Sequence, residues 1–489
     1  MRLCSTISRA ALWTLIAIPG VAAESTRAQG PGHGGFRKQA GQASPGKPEL
    51  SSRRTFLRTA FRSTIESTIR RPITTYRLGR TISRRRGTAL LEDNLPVQVP
   101  LALTFSSPPD PGSPAFEAHL DEIGLGNPIH GELSYHLGGA AFFSAFEREL
   151  AAARQSVDIQ VFIFDNDDVG VRCADLLRAR AEQLPVRVLL DDMGSTFAHG
   201  RKPPSGLPAG FEQPPDISTY LLRENSKIAL RETLNPWLLV DHTKLHIFDR
   251  RIAFIGGMNL GRESRHEWHD LMISVRGPIL TALSRDFART WRQSGPRGDL
   301  ALFEKKTRPE IKTGPGVPLR ILRTDAAEQR SDILLAMAQA IRGATRRIWI
   351  ETPYFSADVI EHELEAAASR GVDVRVILPS RANHRIMDAG NFVTARNLMK
   401  AGVRVYLYPG MTHLKAMICD GWATVGSANL DTLSLRINRE LNVSFCDPGL
   451  VGELARIVFE PDFQASRRLS PEERKLNFSR LIESVADQL

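Results

Sequence analysis

Two stretches of the chain carry an imidazole, an ammonium two residues on and a carboxylate five residues beyond that: His242, Lys244 and Asp249, then His413, Lys415 and Asp420. Each set sits in a run of apolar, strand-favouring residues, Leu245-His246-Ile247-Phe248 and Ala416-Met417-Ile418-Cys419. Residues two apart on a strand share a face, so each His and Lys is expected to point together into one cleft. An imidazole with a fixed positive charge beside it suits nucleophilic or proton-transfer chemistry on an anion. Each copy runs on into a glycine-rich turn, Gly256-Gly257-Met258-Asn259 and Gly426-Ser427-Ala428-Asn429, where glycine lets the backbone approach an anion closely. Eleven residues after each Asn stands a further carboxylate, Asp270 and Glu440. A carboxylate on the far imidazole nitrogen fixes its tautomer and raises its basicity, and the equal spacings nominate these two. The inventory is rich in donors and poor in acidic ligands. That suits a phosphate, whereas a two-metal phosphodiesterase needs a denser carboxylate cluster, so neither metal nor cofactor is expected.

The elements that must position these groups also repeat. Helix-like segments Phe142 to Arg154 and Gly170 to Gln183 precede the strand-like runs starting at Val157 and Val186; segments Asp332 to Arg342 and Ser356 to Arg370 precede those starting at Arg347 and Val374. Short apolar strands alternating with helices indicate an α/β fold in which helices cross over between parallel strands. Ile159 to Ile348 is 189 residues and Val186 to Val374 is 188, but His242 to His413 is 171. The first half therefore holds extra residues before its motif, and the Gly- and Pro-rich stretch Thr196 to Pro215 supplies a loop insertion. A period this long excludes a solenoid and indicates duplication into two fused lobes.

The chain has 489 residues and a formal net charge of +10. That basicity is local: Glu24 to Leu90 holds 15 Lys and Arg against 3 Glu, whereas residues 91–489 hold 47 basic groups against 51 acidic ones. The body thus has no global attraction for polyanions, and no nucleic acid partner is expected. Residues 1–23 show a basic start, the short apolar stretch Ala10 to Ile18 and small residues Val21 and Ala23, the features of a secretory signal, so export to a periplasmic or membrane-associated location is expected. An acid-poor, Arg- and Ser-rich leader also fits an organelle transit peptide. Residues 24–96 are expected to be a basic segment, largely disordered or lying on a membrane surface. Lobes are expected over 97–310 and 311–465, meeting near Lys305 to Pro318, and a C-terminal helix over 466–489. Four cysteines without C-x-x-C spacing exclude a thiolate metal site.

Two copies of His-x-Lys-x4-Asp, each followed by Gly-Gly/Ser-x-Asn, resemble the phospholipase D superfamily over residues 140–460. Gly426-Ser427-Ala428-Asn429-Leu430-Asp431, Thr352-Pro353-Tyr354-Phe355 and Trp268-His269-Asp270 are most similar to its bacterial cardiolipin synthase and phosphatidylserine synthase-like branch. The resemblance implies two duplicated lobes, each a mixed β-sheet flanked by helices, with one active site at their interface and no oligomer needed to complete it. It implies phosphatidyl transfer or phospholipase D-type hydrolysis of a glycerophospholipid at a membrane surface, with an alcohol or water as acceptor. A nuclease or other phosphodiesterase of the same superfamily is the alternative. His242 is implied as nucleophile through a phosphohistidine and His413 as acid and base, with Lys244, Lys415, Asn259, Ser427 and Asn429 on the phosphoryl oxygens. Asp249 and Asp420 belong to the motif as catalytic candidates that could equally hold the strand end. Two departures divide the copies: Gly257 stands where the second has Ser427, and the motif Asp lies seven residues before Gly256 but six before Gly426.

Overall fold

The computed structural model describes residues 52–92, 108–199, 205–303, 314–383 and 385–470. In the first lobe β1 (Ile129–Leu137), β2 (Val157–Val161), β3 (Val186–Asp191), β4 (Ala229–Thr233), β5 (Leu245–Phe248), β6 (Ile252–Gly256) and β7 (Leu271–Arg276) stand in the spatial order β1-β7-β6-β5-β2-β3-β4. The second lobe contains β8 (Val317–Asp325), the short β9 (Arg330–Ser331), β10 (Arg347–Glu351), β11 (Asp373–Pro379), β12 (Arg404–Tyr408), β13 (Ala416–Cys419), β14 (Trp422–Gly426) and β15 (Glu440–Phe445). It repeats the order as β8-β15-β14-β13-β10-β11-β12, with β16 (Arg467–Arg468) at its edge. β1 pairs antiparallel with β8, so one sheet runs through both lobes.

Among the named strands of the described residues, only β2-β3-β4 and β10-β11-β12 are parallel. These are the strands that helices connect. The hairpins β5-β6 and β13-β14 are antiparallel because their strands are joined by tight turns. The crossover helices Gly139–Ala152, Asp168–Ala181, Asp332–Gly343 and Asp358–Ser369 lie where the sequence pattern puts them. The second is started by Asp167, whose carboxylate accepts from the Gly170 amide.

Side chains alternate across the motif strands, and both faces are buried. On β5, Leu245 and Ile247 face a core shared with Ile418, Val425 and Val458 of the second lobe, while Phe248 faces the first lobe's own cluster with Phe142, Phe146 and Phe254. The shared face welds the lobes into one body.

Three expectations are corrected. Helix Pro114–Glu122 belongs with the second lobe and not the first: Phe116 and Leu120 enter that lobe's core beside Leu322 and Trp422, and buried Arg320 pairs with Glu117 and Asp121. Of the two states expected over 24–96, disorder does not extend to residues 52–92, which form helices Ser52–Arg70 and Pro72–Glu92, the described parts of which dock on the first lobe. The docking rests largely on hydrogen bonds, beside buried Leu78 and Ile82, so hydrophobic patterning alone does not reveal it: Arg71 Nη2 donates to the Leu234 carbonyl (2.6 Å), the Thr74 amide to Asp299 (3.0 Å) and Trp237 Nε1 to the Thr75 carbonyl (3.1 Å). At the other end, β16 pairs with β12 where the C-terminal helix was expected to begin. The expected signal at 1–23, most of the lobe boundary and the rest of the C-terminal segment lie outside the described residues. No described helix is long and apolar enough to cross a membrane.

Candidate active site

The two motifs meet across the lobe interface, and each is held by the other lobe. Asp241 and Arg439 form a parallel bridge in which the His242 amide donates to the Arg439 carbonyl (2.9 Å). His269 and Thr412 form its counterpart, with the His413 amide donating to the His269 carbonyl (2.7 Å). Each histidine thus stands opposite the residue that precedes the other lobe's carboxylate. As a result Glu440 Oε2 lies 3.0 Å from His242 Nδ1, and Asp270 Oδ2 lies 2.7 Å from His413 Nδ1. Both carboxylates sit where the equal spacings nominated them, in a crossed arrangement. With Nδ1 engaged, Nε2 is the nitrogen each ring has left for chemistry.

The His–Lys stretches precede β5 and β13 and do not lie within them, so the pleat does not aim these side chains. Instead each lysine turns back on its own motif: Lys244 Nζ donates to the His242 carbonyl (2.8 Å) and Lys415 Nζ to the His413 carbonyl. Both ammoniums are buried. Burial lowers Lys244 to about 7 and Lys415 to about 8, against the pull of Glu440 and Asp270. Burial also holds His242 well below its ordinary value, helped by the Lys244 and Lys415 charges. His413 is brought to about 3 by burial and Lys415, against Asp270. Burial thus favours the neutral form of both imidazoles, and it raises Glu440 to about 7.

Aromatic rings back both histidines, a feature the spacing did not reveal. Phe162 meets His242 edge-on with centroids 4.8 Å apart, and Trp268 lies against His413 at 4.6 Å. Trp268 also lines, with Ile163, Ala198 and Asn259, a depression beside the site. Asn259 accepts from the Ile163 amide through Oδ1 (3.2 Å), which leaves its amino group as the donor. Asn429 is turned the other way: its amide supports the Asp431 carboxylate, and its Oδ1 is buried without a partner among the described residues.

Ser427 is corrected from phosphate donor to positioning group. Its hydroxyl donates to Glu440 Oε2 (2.6 Å) and accepts from the Leu441 amide (3.0 Å), so it holds the carboxylate that holds His242. Gly257 occupies the equivalent place, where an added Cβ would meet Asp270 Oδ1 at 2.3 Å.

Asp249 and Asp420 are brought to neither imidazole. Asp249 accepts from the amides of Arg154, Gln155 and Ser156 (2.6–3.0 Å), and Asp420 from those of Thr345, Arg346 and Arg347 (2.8–3.1 Å). They close the loops entering β2 and β10 at the far ends of β5 and β13. The one-residue difference in motif length is absorbed there, in the turns Asp249-Arg250-Arg251 and Asp420-Gly421, and does not reach the site.

Further polar groups brace the interface. Arg439 reaches Asp325 (2.9 Å), Gln293 (2.6 Å) and Asp241 (3.8 Å), spanning both lobes. Behind His413, the ligand atoms of His269, Glu351 and Asp462 lie within 4.8 Å of one another and could hold a cation. Burial and the Asp462 charge raise Glu351 well above its ordinary value, and Thr412 Oγ1 donates to Glu351. The position before each nominated carboxylate, Arg439 or His269, was the overlooked signal in the eleven-residue spacing.

Residues 146–291 and 337–460 match the family described as "Cardiolipin synthase, PLD-like domain". Cardiolipin synthase A of Pseudomonas putida is 33% identical over 358 residues, 69% of each chain. That of Pseudomonas aeruginosa is 32% identical over 349 residues, 69% of this chain and 68% of its own. The crystal structure of phosphatidylserine synthase from Haemophilus influenzae Rd KW20 superposes with a TM-score of 0.58 at 15% identity, covering 76% of this chain and all of that one, which shows a common fold. Matched on both sides of the interface that the crossed carboxylates span, the chain is an enzyme of the phospholipase D-like, cardiolipin synthase family.

Proposed function

We propose that the protein transfers a phosphatidyl group between alcohols, as a cardiolipin synthase-like phosphatidyltransferase at a membrane surface reached by export. The observation that carries this reading is the pair of buried imidazoles, each with its Nδ1 on a carboxylate of the opposite lobe. A neutral imidazole is a nucleophile, and a phosphodiester without a good leaving group is easier to exchange in two displacements than in one. His242 Nε2 attacks phosphorus, forming a P–N bond as the P–O bond to the departing alcohol breaks. His413 supplies the proton that alcohol needs; the anionic phosphodiester favours the imidazolium that does so. An incoming alcohol then gives its proton to His413, attacks phosphorus and releases His242. Lys244, Lys415 and the Asn259 amino group balance the charge on the phosphoryl oxygens.

Incubation of the purified protein with phosphatidylglycerol tests this directly. Cardiolipin plus glycerol is the expected product pair, at a rate unchanged by a metal chelator. Phosphatidic acid alone would make water the acceptor, and cleavage of DNA without lipid turnover would overturn the reading.

A further inference from the structure

The docked helices Ser52–Arg70 and Pro72–Glu92 are amphipathic in the inverted sense. Their buried side is largely polar: Thr59, Ser63, Ser67, Arg71, Thr74 and Thr75 are each at most 8% exposed, with Leu78 and Ile82 buried further along the second helix. Their outward side is apolar, with Phe61, Ile65, Ile69, Ile73 and Tyr76 each 41–75% exposed, five of the eight large hydrophobics exposed among the described residues. Spacings of four along the first helix and three along the second make one stripe on each. The outward charge is of one sign. Arg58, Arg77 and Arg80 are exposed and make no ion pair with a described residue, while Glu66 is paired with Arg70 at 2.9 Å. The helices are tied together by Ser67 and Thr75 (Oγ to Oγ1, 2.7 Å).

The inner side grips the segment that delivers His242. Arg71, Ser63 and Thr75 bind Leu234, Asn235 and Trp237, and Trp237 and Leu238 have φ of 62° and 63°, the left-handed region that these side chains enter only under constraint. Arg62 also pairs with Asp192 (2.6 Å) at the start of helix Asp192–Ala198, whose last residue lines the depression beside Trp268.

We propose that this outer face docks the enzyme on an anionic lipid bilayer, with the five apolar side chains entering the acyl boundary and the arginines meeting lipid phosphates. Isoleucine and phenylalanine ringed by unpaired arginine fit such a surface in shape and charge. The inner face then fixes how the bilayer stands relative to His242. The inference rests on the lipid reading above and adds where the lipid surface is met, on helices outside the matched family segments.

The test compares the full chain with a Phe61→Ser/Ile69→Ser/Tyr76→Ser variant and an Arg58→Gln/Arg77→Gln/Arg80→Gln variant. Co-sedimentation is measured with vesicles of phosphatidylcholine alone or with phosphatidylglycerol, and turnover with a short-chain phosphatidylglycerol kept monomeric. The serine variant is expected to lose at least about tenfold in partitioning to anionic vesicles. The glutamine variant should lose a similar factor and most of its salt dependence. Both should turn over the monomeric substrate as the unaltered protein does. Unchanged vesicle binding by the serine variant overturns the proposal. So does a dimer in the unaltered protein that the serine variant dissolves while vesicle binding persists, since a second copy then covers the face. If the unaltered protein binds vesicles but ignores the short-chain lipid, the substrate reading fails and the docking face stands.

Discussion

The two half-sites are built to one plan and finished differently. Around His242 stand Glu440, Ser427 and Phe162; around His413 stand Asp270, Gly257 and Trp268. In the first, a long carboxylate is held by a hydroxyl. In the second, the carboxylate itself fills the space that the serine side chain takes in the other copy. The missing hydroxyl is thus the steric complement of a shorter acid and not a lost phosphate ligand. What differs is the group that holds each imidazole's partner: the Ser427 hydroxyl on Glu440 (2.6 Å) and the Leu271 amide on Asp270 (2.7 Å).

The largest effect should come from removing each histidine in turn. With a p-nitrophenyl phosphodiester, whose leaving group needs no acid, His413→Asn is expected to release a burst of about one nitrophenol per site and then stall, because the acceptor is not deprotonated. His242→Asn should give no burst, with turnover down at least about a thousandfold. The reverse pattern would exchange the roles. Next, Asp270→Asn and Glu440→Gln replace the carboxyl group that orients and supports each ring. Each should slow steady turnover by about tenfold to a hundredfold or more at similar stability, and equal rates for both would erase the functional distinction between the halves.

A smaller effect separates the two glycine-rich turns. Gly257→Ser must displace the Asp270 carboxylate, costing about 1–3 kcal/mol of stability in a denaturant titration together with activity, whereas Ser427→Gly should lower activity with the fold retained. A Gly257→Ser protein of normal stability would show that the space is not limiting.

The smallest effect concerns a residue with no counterpart. His246 lies against Phe142 and Phe146, and neither ring nitrogen has a hydrogen-bond partner among the described residues; the second copy has Met417. Burial brings it to about 3. The unfolded chain takes a proton near its ordinary value, so stability from this group is present at pH 7 and falls as pH drops, by up to about 1.4 kcal/mol per unit. His246→Met should stabilise the protein at pH 7.5, with the gap in unfolding free energy widening by about 2 kcal/mol at pH 5. A gap independent of pH would show that the native imidazole is protonated.

The amino-acid sequence by itself determined the duplication and most of the crossover helices and strands. Those features rest on local patterning: apolar runs, helix starts and equal spacings between residue types. The crossed pairing could not be read there, because His242 and Glu440 are 198 residues apart and His413 and Asp270 are 143 apart. Which carboxylate reaches which ring depends on how two lobes pack. The same holds for Asp249 and Asp420, whose motif positions look catalytic until strand length carries them to the opposite end of the sheet. The N-terminal helices were hidden for another reason, since they bury Ser, Thr and Arg and turn Phe and Ile outward, against the usual direction of hydrophobic burial. Only the tertiary structure decides such cases, because there hydrogen-bond partners more than apolar area determine which side faces in.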